Sequence, residues 1–137
     1  AIKELISKGY IVICVGGGGI PVIEKEGKLE GVAAVIDKDY ASALLASEIK
    51  ADTLIVSTAV DKVAVNFGKP DQKELDRLTV AEAEAYMAEG QFPAGSMGPK
   101  ITALLNFLKN GGGEGLITSP AGVVAALEGK TGTYVVP

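Results

Sequence analysis

Three short apolar runs constrain this chain more than any other feature. They are residues 10–15 (Tyr-Ile-Val-Ile-Cys-Val), 53–57 (Thr-Leu-Ile-Val-Ser) and 115–118 (Gly-Leu-Ile-Thr). Each is continuous, rich in β-branched residues and too short for a stable helix, so each predicts a strand buried on both faces. Between and after them apolar residues recur at helical spacing, as in Ala41, Leu44, Leu45 and Ile49, and again in Ile101, Leu104, Leu105 and Leu108. Strands that alternate with helices, with no repeat of fixed period, define an α/β class: three layers, α/β/α, around a largely parallel sheet. The composition agrees. Apolar residues make up 47% of the chain but aromatics only 5%, so the core must be Ala, Val, Ile and Leu, as where helices cover both faces of a sheet. A length of 137 residues suits a single domain.

The remaining elements follow in order. Ile2, Leu5 and Ile6 predict a helix stopped by Gly9, and residues 22–32, with charges around Gly27, predict an edge hairpin. Asp37 or Asp39 suits the start of the next helix. Residues 63–67 read as a short extended piece and 68–71 as a turn. Thr79 with Glu82 forms a capping-box pattern ahead of residues 80–88. Residues 90–98 form a loop, Pro99 opens a helix running to about Asn110, Pro120 lies near the start of a helix over 119–128, and residues 133–136 close the chain as a strand.

Charge and composition remove several functions. A net charge of −4 lacks the basic footprint of a nucleic-acid binder, and no apolar run approaches membrane-spanning length. There is no histidine and one cysteine, Cys14, which excludes histidine-dependent hydrolase triads, disulfide frameworks and cysteine metal sites. The amphipathic start is unlike a signal peptide, so the expectation is a soluble protein of a reducing compartment, the cytoplasm. Ala1 enters in mid-helix, which suggests part of a longer chain.

Three segments carry possible chemistry. The run Ala-Gly-Ser-Met-Gly-Pro-Lys (94–100) places free amides and Lys100 at a helix start, a place for a phosphate or simply a solvated lysine. Gly16, Gly17, Gly18 and Gly19 follow the first strand and let backbone N–H groups converge on an oxyanion. A bare turn would also use glycine, though four in succession carry an entropic cost. Neither the P-loop nor the dinucleotide fingerprint is present. Asp37-Lys38-Asp39 is either a solvated cap or an aspartate orienting lysines. In the second reading Lys38 and Lys100 flank a polyphosphate and offset charge on a transferring phosphoryl group. Asp61 and Asn66 suit a ribose or base, or an ordinary turn. In α/β sheets ligands collect at the carboxyl ends of strands, which places the glycine run, residues 58–61 and Ser119-Pro120 on one rim.

Four stretches together resemble the carbamate kinase group of the amino-acid kinase superfamily. They are Gly-Gly-Gly-Gly-Ile-Pro-Val-Ile (16–23), Ala-Val-Ile-Asp-Lys-Asp (34–39), Val-Asp-Lys-Val-Ala-Val-Asn-Phe-Gly-Lys-Pro-Asp-Gln (60–72) and Gly-Gln-Phe-Pro-Ala-Gly-Ser-Met-Gly-Pro-Lys (90–100). The resemblance implies the carboxyl-terminal, nucleotide-binding portion of that fold, with the amino-terminal half absent. It implies reversible phosphoryl transfer between ATP and carbamate, run from carbamoyl phosphate and ADP in arginine metabolism, with magnesium on the nucleotide and a homodimer when complete. It makes Lys38, Asp39 and Lys100 catalytic. Gly16, Gly17, Gly18 and Gly19 would lie at the acyl phosphate, and Thr58, Val60, Asp61, Asn66, Met97 and Gly98 would line the nucleotide pocket, with no protein metal ligand assigned. Another superfamily kinase and a non-catalytic nucleotide sensor are the alternatives. The lone polypeptide is expected to bind nucleotide at best, and not to turn over.

Overall fold

The computed structural model describes residues 1–137. The first elements are α1 (Ile2–Ser7), the hairpin β1 (Val22–Lys25) and β2 (Lys28–Gly31), α2 (Lys38–Ile49) and β3 (Thr53–Ser57). A second antiparallel pair, β4 (Val63–Val65) and β5 (Lys73–Leu75), precedes β6 (Arg77–Thr79), α3 (Val80–Ala88) and α4 (Met97–Lys109). β7 (Glu114–Thr118), α5 (Val123–Leu127) and β8 (Thr133–Val136) complete the chain.

The main sheet has the order β3-β7-β8-β6. β3 with β7 and β6 with β8 are parallel, and β7 with β8 is antiparallel, so two of its three pairings are parallel. Pleating sorts the residues by face. Leu54, Gly115, Val135 and Leu78 form one row across all four strands. That row faces α4. At Gly115 a β-carbon would come within 2.9 Å of the Leu104 side chain, so glycine lets the helix settle onto the strand. The opposite row, Ile55, Leu116, Tyr134 and Arg77, carries α5, and the Tyr134 hydroxyl donates to the Ala126 carbonyl. Helices therefore flank the sheet on both faces.

The core is built on α4, which buries Ile101, Ala103, Leu104, Leu105, Phe107 and Leu108. Full burial of each large apolar side chain contributes roughly 1.5–3 kcal/mol. α2 meets α4 through the buried Ala43 and Ala46. The buried Thr133 hydroxyl accepts from the Val63 amide (2.8 Å) and donates to the Leu75 carbonyl, tying the β4–β5 pair to β8. The capping box at Thr79 is complete: its hydroxyl accepts from the Glu82 amide, and the Glu82 carboxylate accepts from the Thr79 amide.

Several expectations change. Residues 10–15 belong to no strand, and Ile11 and Ile13 are 97% and 99% exposed. A strand requires a neighbour for its backbone groups, and no segment here pairs with this one. The hairpin β1–β2 stands as its own two-stranded sheet instead of extending the main one. On α2 the expected stripe is rotated: the alanines are buried, while Leu44 is 64% exposed. α4 begins at Met97, two residues before Pro99, which still lies in the first turn. α5 covers only residues 123–127, because Ser119 through Gly122 make a turn closed by the Gly122 amide on Ser119. β5 and β6 are additional strands in charged sequence that carries no strand signal.

Candidate functional site

α2 leads into β3 and α4 leads into β7. Each helix runs back along the strand it precedes, so both helix N-termini arrive at the carboxyl ends of this parallel pair. The strands end together there: the Thr58 amide donates to the Thr118 carbonyl (2.8 Å). Lys38 and Asp39 open α2, and Lys100 occupies the first turn of α4. Elements 61 residues apart in sequence are thereby brought within hydrogen-bond distance.

Asp39 is the hub. Its Oδ2 accepts from Lys100 Nζ and its Oδ1 from Lys38 Nζ, both at 3.0 Å. The Asp39 and Lys100 side chains are only 12% and 16% exposed, whereas Lys38 is 63% exposed and forms the outer member. Burial pushes the Asp39 carboxyl up, but the hydrogen bonds and charges of Lys100 and Lys38 outweigh it and hold the group below the usual aspartate range. The Asp39 hydrogen bond and charge raise Lys38 above the ordinary lysine value. Asp39 and Lys38 are therefore both ionised at neutral pH.

With Asp37 included, the four side chains sum to zero charge. The Asp37 carboxylate is engaged on the Asp39 amide (2.7 Å) as the cap of α2. Asp39 is the least exposed of the three, and two helix N-termini each add about half a positive charge. The α4 terminus offers fewer free amides than the sequence implies. Pro99 has none, and the Gly98 amide donates to the Pro93 carbonyl (2.9 Å). The charged donor at that end is Lys100, whose ammonium group bonds to Asp39.

Beside the α4 terminus lies a mostly apolar cleft of about 210 Å³. Thr58, Val60, Phe67, Phe92, Pro93 and Met97 are among the residues that line it. Its volume is below the roughly 300–1,000 Å³ of pockets that enclose a whole drug-sized ligand, and suits one flat apolar portion of a larger molecule. Met97 and Lys100, three residues apart on one helix, face the same side. The cleft thus adjoins the charged trio.

The other expected residues fall elsewhere. Gly98 and Asp61 do not line the cleft. The Asp61 carboxylate crowds around Gly122 with the Ser119 hydroxyl and the buried Thr118 hydroxyl, which has no hydrogen-bond partner. Asn66 supports the wall from behind: at φ +53° its amide donates to Gln91 and its side chain donates to Asp71. Gly18 is at φ +79°, and a β-carbon there would lie 2.1 Å from the Ile36 carbonyl oxygen. Gly18 thus abuts the segment entering α2, and none of the four glycines lines the cleft. Sequence reasoning missed Gln91, Phe92, Pro93 and Ser96 as wall residues. A Phe-Pro pair in a glycine-flanked loop was the available signal. No three carboxylate, cysteine or histidine side chains gather as a metal-binding group, and no helix is long and apolar enough to cross a membrane.

Comparison with known proteins adds three findings. The family model described as "Amino acid kinase family" matches residues 1–119. A carbamate kinase of Thermoplasma volcanium is 55% identical over 137 residues, covering 100% of this chain and 45% of that protein; the carbamate kinase-like protein YahI of Escherichia coli is 54% identical, covering 99% and 43%. The solved structure of a Giardia lamblia carbamate kinase bound to AMP-PNP superposes with a TM-score of 0.93 at 42% identity, over 98% of this chain and 43% of that one. The chain spans less than half the length of the curated relatives it matches.

Proposed function

Because the chain belongs to the amino acid kinase family, we propose that it forms the nucleotide-holding portion of a carbamate kinase, which exchanges a phosphoryl group between ATP and carbamate. The observation that carries this reading is the Asp39 carboxylate held between Lys38 and Lys100 at the rim where two helices begin. In the direction of ATP formation, a β-phosphate oxygen of ADP attacks the phosphorus of carbamoyl phosphate. The bond from phosphorus to the carbamate oxygen breaks, and its electron pair departs with carbamate. Charge spreads over the transferring oxygens, and Lys38 and Lys100 are placed to offset it. Asp39 orients both ammonium groups and touches neither phosphate nor carbamate.

The apolar cleft takes the nucleotide base, with Phe67 and Met97 against its faces and the phosphates running along α4 toward Lys100. Magnesium adds charge neutralisation when bound to the phosphates. Magnesium would be carried mainly by the nucleotide's phosphate oxygens and water, and no residue of this chain is assigned to it. The relatives' names place them with carbamate, and the Giardia structure holds an ATP analogue. The carboxylate-substrate side, a homodimer and cytoplasmic arginine metabolism are proposed for the complete protein.

The test combines this chain with the portion of the Thermoplasma relative that lies outside the match and measures ATP formation from carbamoyl phosphate and ADP. Activity is expected only from the mixture. In it, Lys100→Ala should lower kcat by about 10²–10³-fold with a smaller change in ADP affinity. Turnover by this chain alone, or equal loss of binding and kcat, would overturn the reading.

A further inference from the structure

The apolar cleft is lined from two separate stretches of chain, residues 58–67 and residues 91–97. One side chain ties these stretches together. Gln91 lies just past the end of α3, where its own amide donates to the Tyr86 carbonyl (3.0 Å) and fixes its backbone. The adjacent Phe92 is buried and meets Tyr86 edge-on, with ring centroids 6.3 Å apart. From this anchored position the Gln91 carboxamide reaches a residue 25 positions earlier. Its Oε1 accepts from the Asn66 amide (2.8 Å), and its Nε2 donates a longer bond to Asn66 Oδ1 (3.4 Å). The reverse orientation would set an NH2 group against the Asn66 N–H, so the pairing selects one orientation.

Asn66 is at φ +53°, in the left-handed region, which asparagine tolerates better than most residues with a β-carbon. Its surroundings hold it there. The Asn66 carbonyl accepts from the Lys69 amide (3.0 Å), its side chain donates to Asp71 (2.8 Å), and the Gly68 amide donates to Gln72 Oε1 (2.8 Å). Phe67 follows directly, lines the cleft and is 66% exposed, so its placement depends on the backbone that precedes it more than on packing. We propose that Gln91 is a positioning residue for the nucleotide base. By holding the Asn66 amide it keeps Asn66 left-handed, sets Phe67 at the cleft and fixes the spacing of the two stretches that line it. The role rests on the reading of the cleft as the base site. It is separate from the phosphate site: the side-chain bonds of Gln91 and Asn66 go to each other and to Asp71, whereas those of Lys38 and Lys100 go to Asp39.

Two probes separate the sites on this chain, adenosine for the cleft and inorganic tripolyphosphate for the lysines, each titrated by calorimetry. Gln91→Met keeps the side-chain length but loses both bonds, and should weaken adenosine about tenfold while tripolyphosphate stays within about twofold. Retained tripolyphosphate binding also reports that the variant is folded. Asn66→Val alters a residue outside the cleft; a β-branched side chain resists positive φ, so the same adenosine loss is expected. Asn66→Gly keeps the backbone amide and accepts positive φ, so adenosine affinity should stay within about threefold of the wild type. Full adenosine affinity in Gln91→Met or Asn66→Val would overturn the proposal, as would equal loss of both probes or a loss in Asn66→Gly as large as in Gln91→Met. A wild-type chain that does not bind adenosine would overturn the base-site reading and this role with it. Wild-type binding that Gln91→Met leaves intact would overturn this role alone.

Discussion

Residues 1–36 and residues 38–137 are built from similarly apolar sequence but meet different fates. The later region closes a core around α4, with Ile101, Leu104, Phe107 and Ile117 at 0% exposure. The earlier region contributes no residue to that core. Its strongest apolar run projects into solvent, and its only sheet is the two-stranded hairpin β1–β2. An isolated hairpin is marginal in water, and an unpaired strand is worse. The difference teaches that apolar content sets what a segment can bury, whereas a partner decides whether it does. Lys38 and Asp39 lie at the junction of the two regions, at the start of α2.

The contrast can be tested by substitutions of graded effect. Leu104→Ala, at the centre of the α4 contact, should destabilise the isolated chain by about 2–5 kcal/mol in denaturant unfolding. A loss below about 1 kcal/mol would mean that the later region is not the independently packed one. Asp39→Asn comes next. It removes one charge from two charge-assisted hydrogen bonds and should cost about 1–3 kcal/mol at neutral pH. The sign of its pH dependence is fixed. The Asp39 carboxyl titrates lower in the folded state than unfolded, so its contribution is complete above the ordinary aspartate range and fades as pH falls through the depressed folded value. Stability measured from pH 7 down to pH 2 should therefore drop less steeply in the asparagine variant; an unchanged slope would contradict the ion-pair hub. Ile13→Ala should be the mildest, within about 0.5 kcal/mol for the isolated chain, because it removes side chain already in water.

How much of this was legible in the sequence follows the same division. β3, β7, the capped starts of α2 and α3 and the α4 stripe were readable because local pattern and final environment agree there. The meeting of Lys38 with Lys100 was readable from topology: each precedes a strand of one parallel pair, so both fall on one rim. Residues 10–15 were misread because period and β-branching report burial potential and carry no information about a neighbour. The rotation of α2 has a related cause, since its leucines and alanines both face apolar surfaces and only the alanine side is filled. β5 and β6 escaped notice because Lys73, Glu74 and Arg77 are charged and exposed; backbone pairing and one buried residue in each, Leu75 and Leu78, hold these pieces. Asn66 and Asp61 were nominated on residue type. In the structure the hydrogen bonds of Asn66 to Gln91 and Asp71, and the position of Asp61 beside Gly122, keep both out of the cleft.

The central claim is that Lys38 and Lys100, joined through Asp39, hold the phosphates of a nucleotide whose base occupies the neighbouring cleft. Calorimetric titration of the isolated chain with adenosine, AMP, ADP and ATP tests it most directly. Affinity should rise stepwise with phosphate number, and the rise should vanish in Lys38→Ala with Lys100→Ala while weak adenosine binding persists. Equal affinity across the four ligands, or a phosphate-dependent rise that survives loss of both lysines, would contradict it.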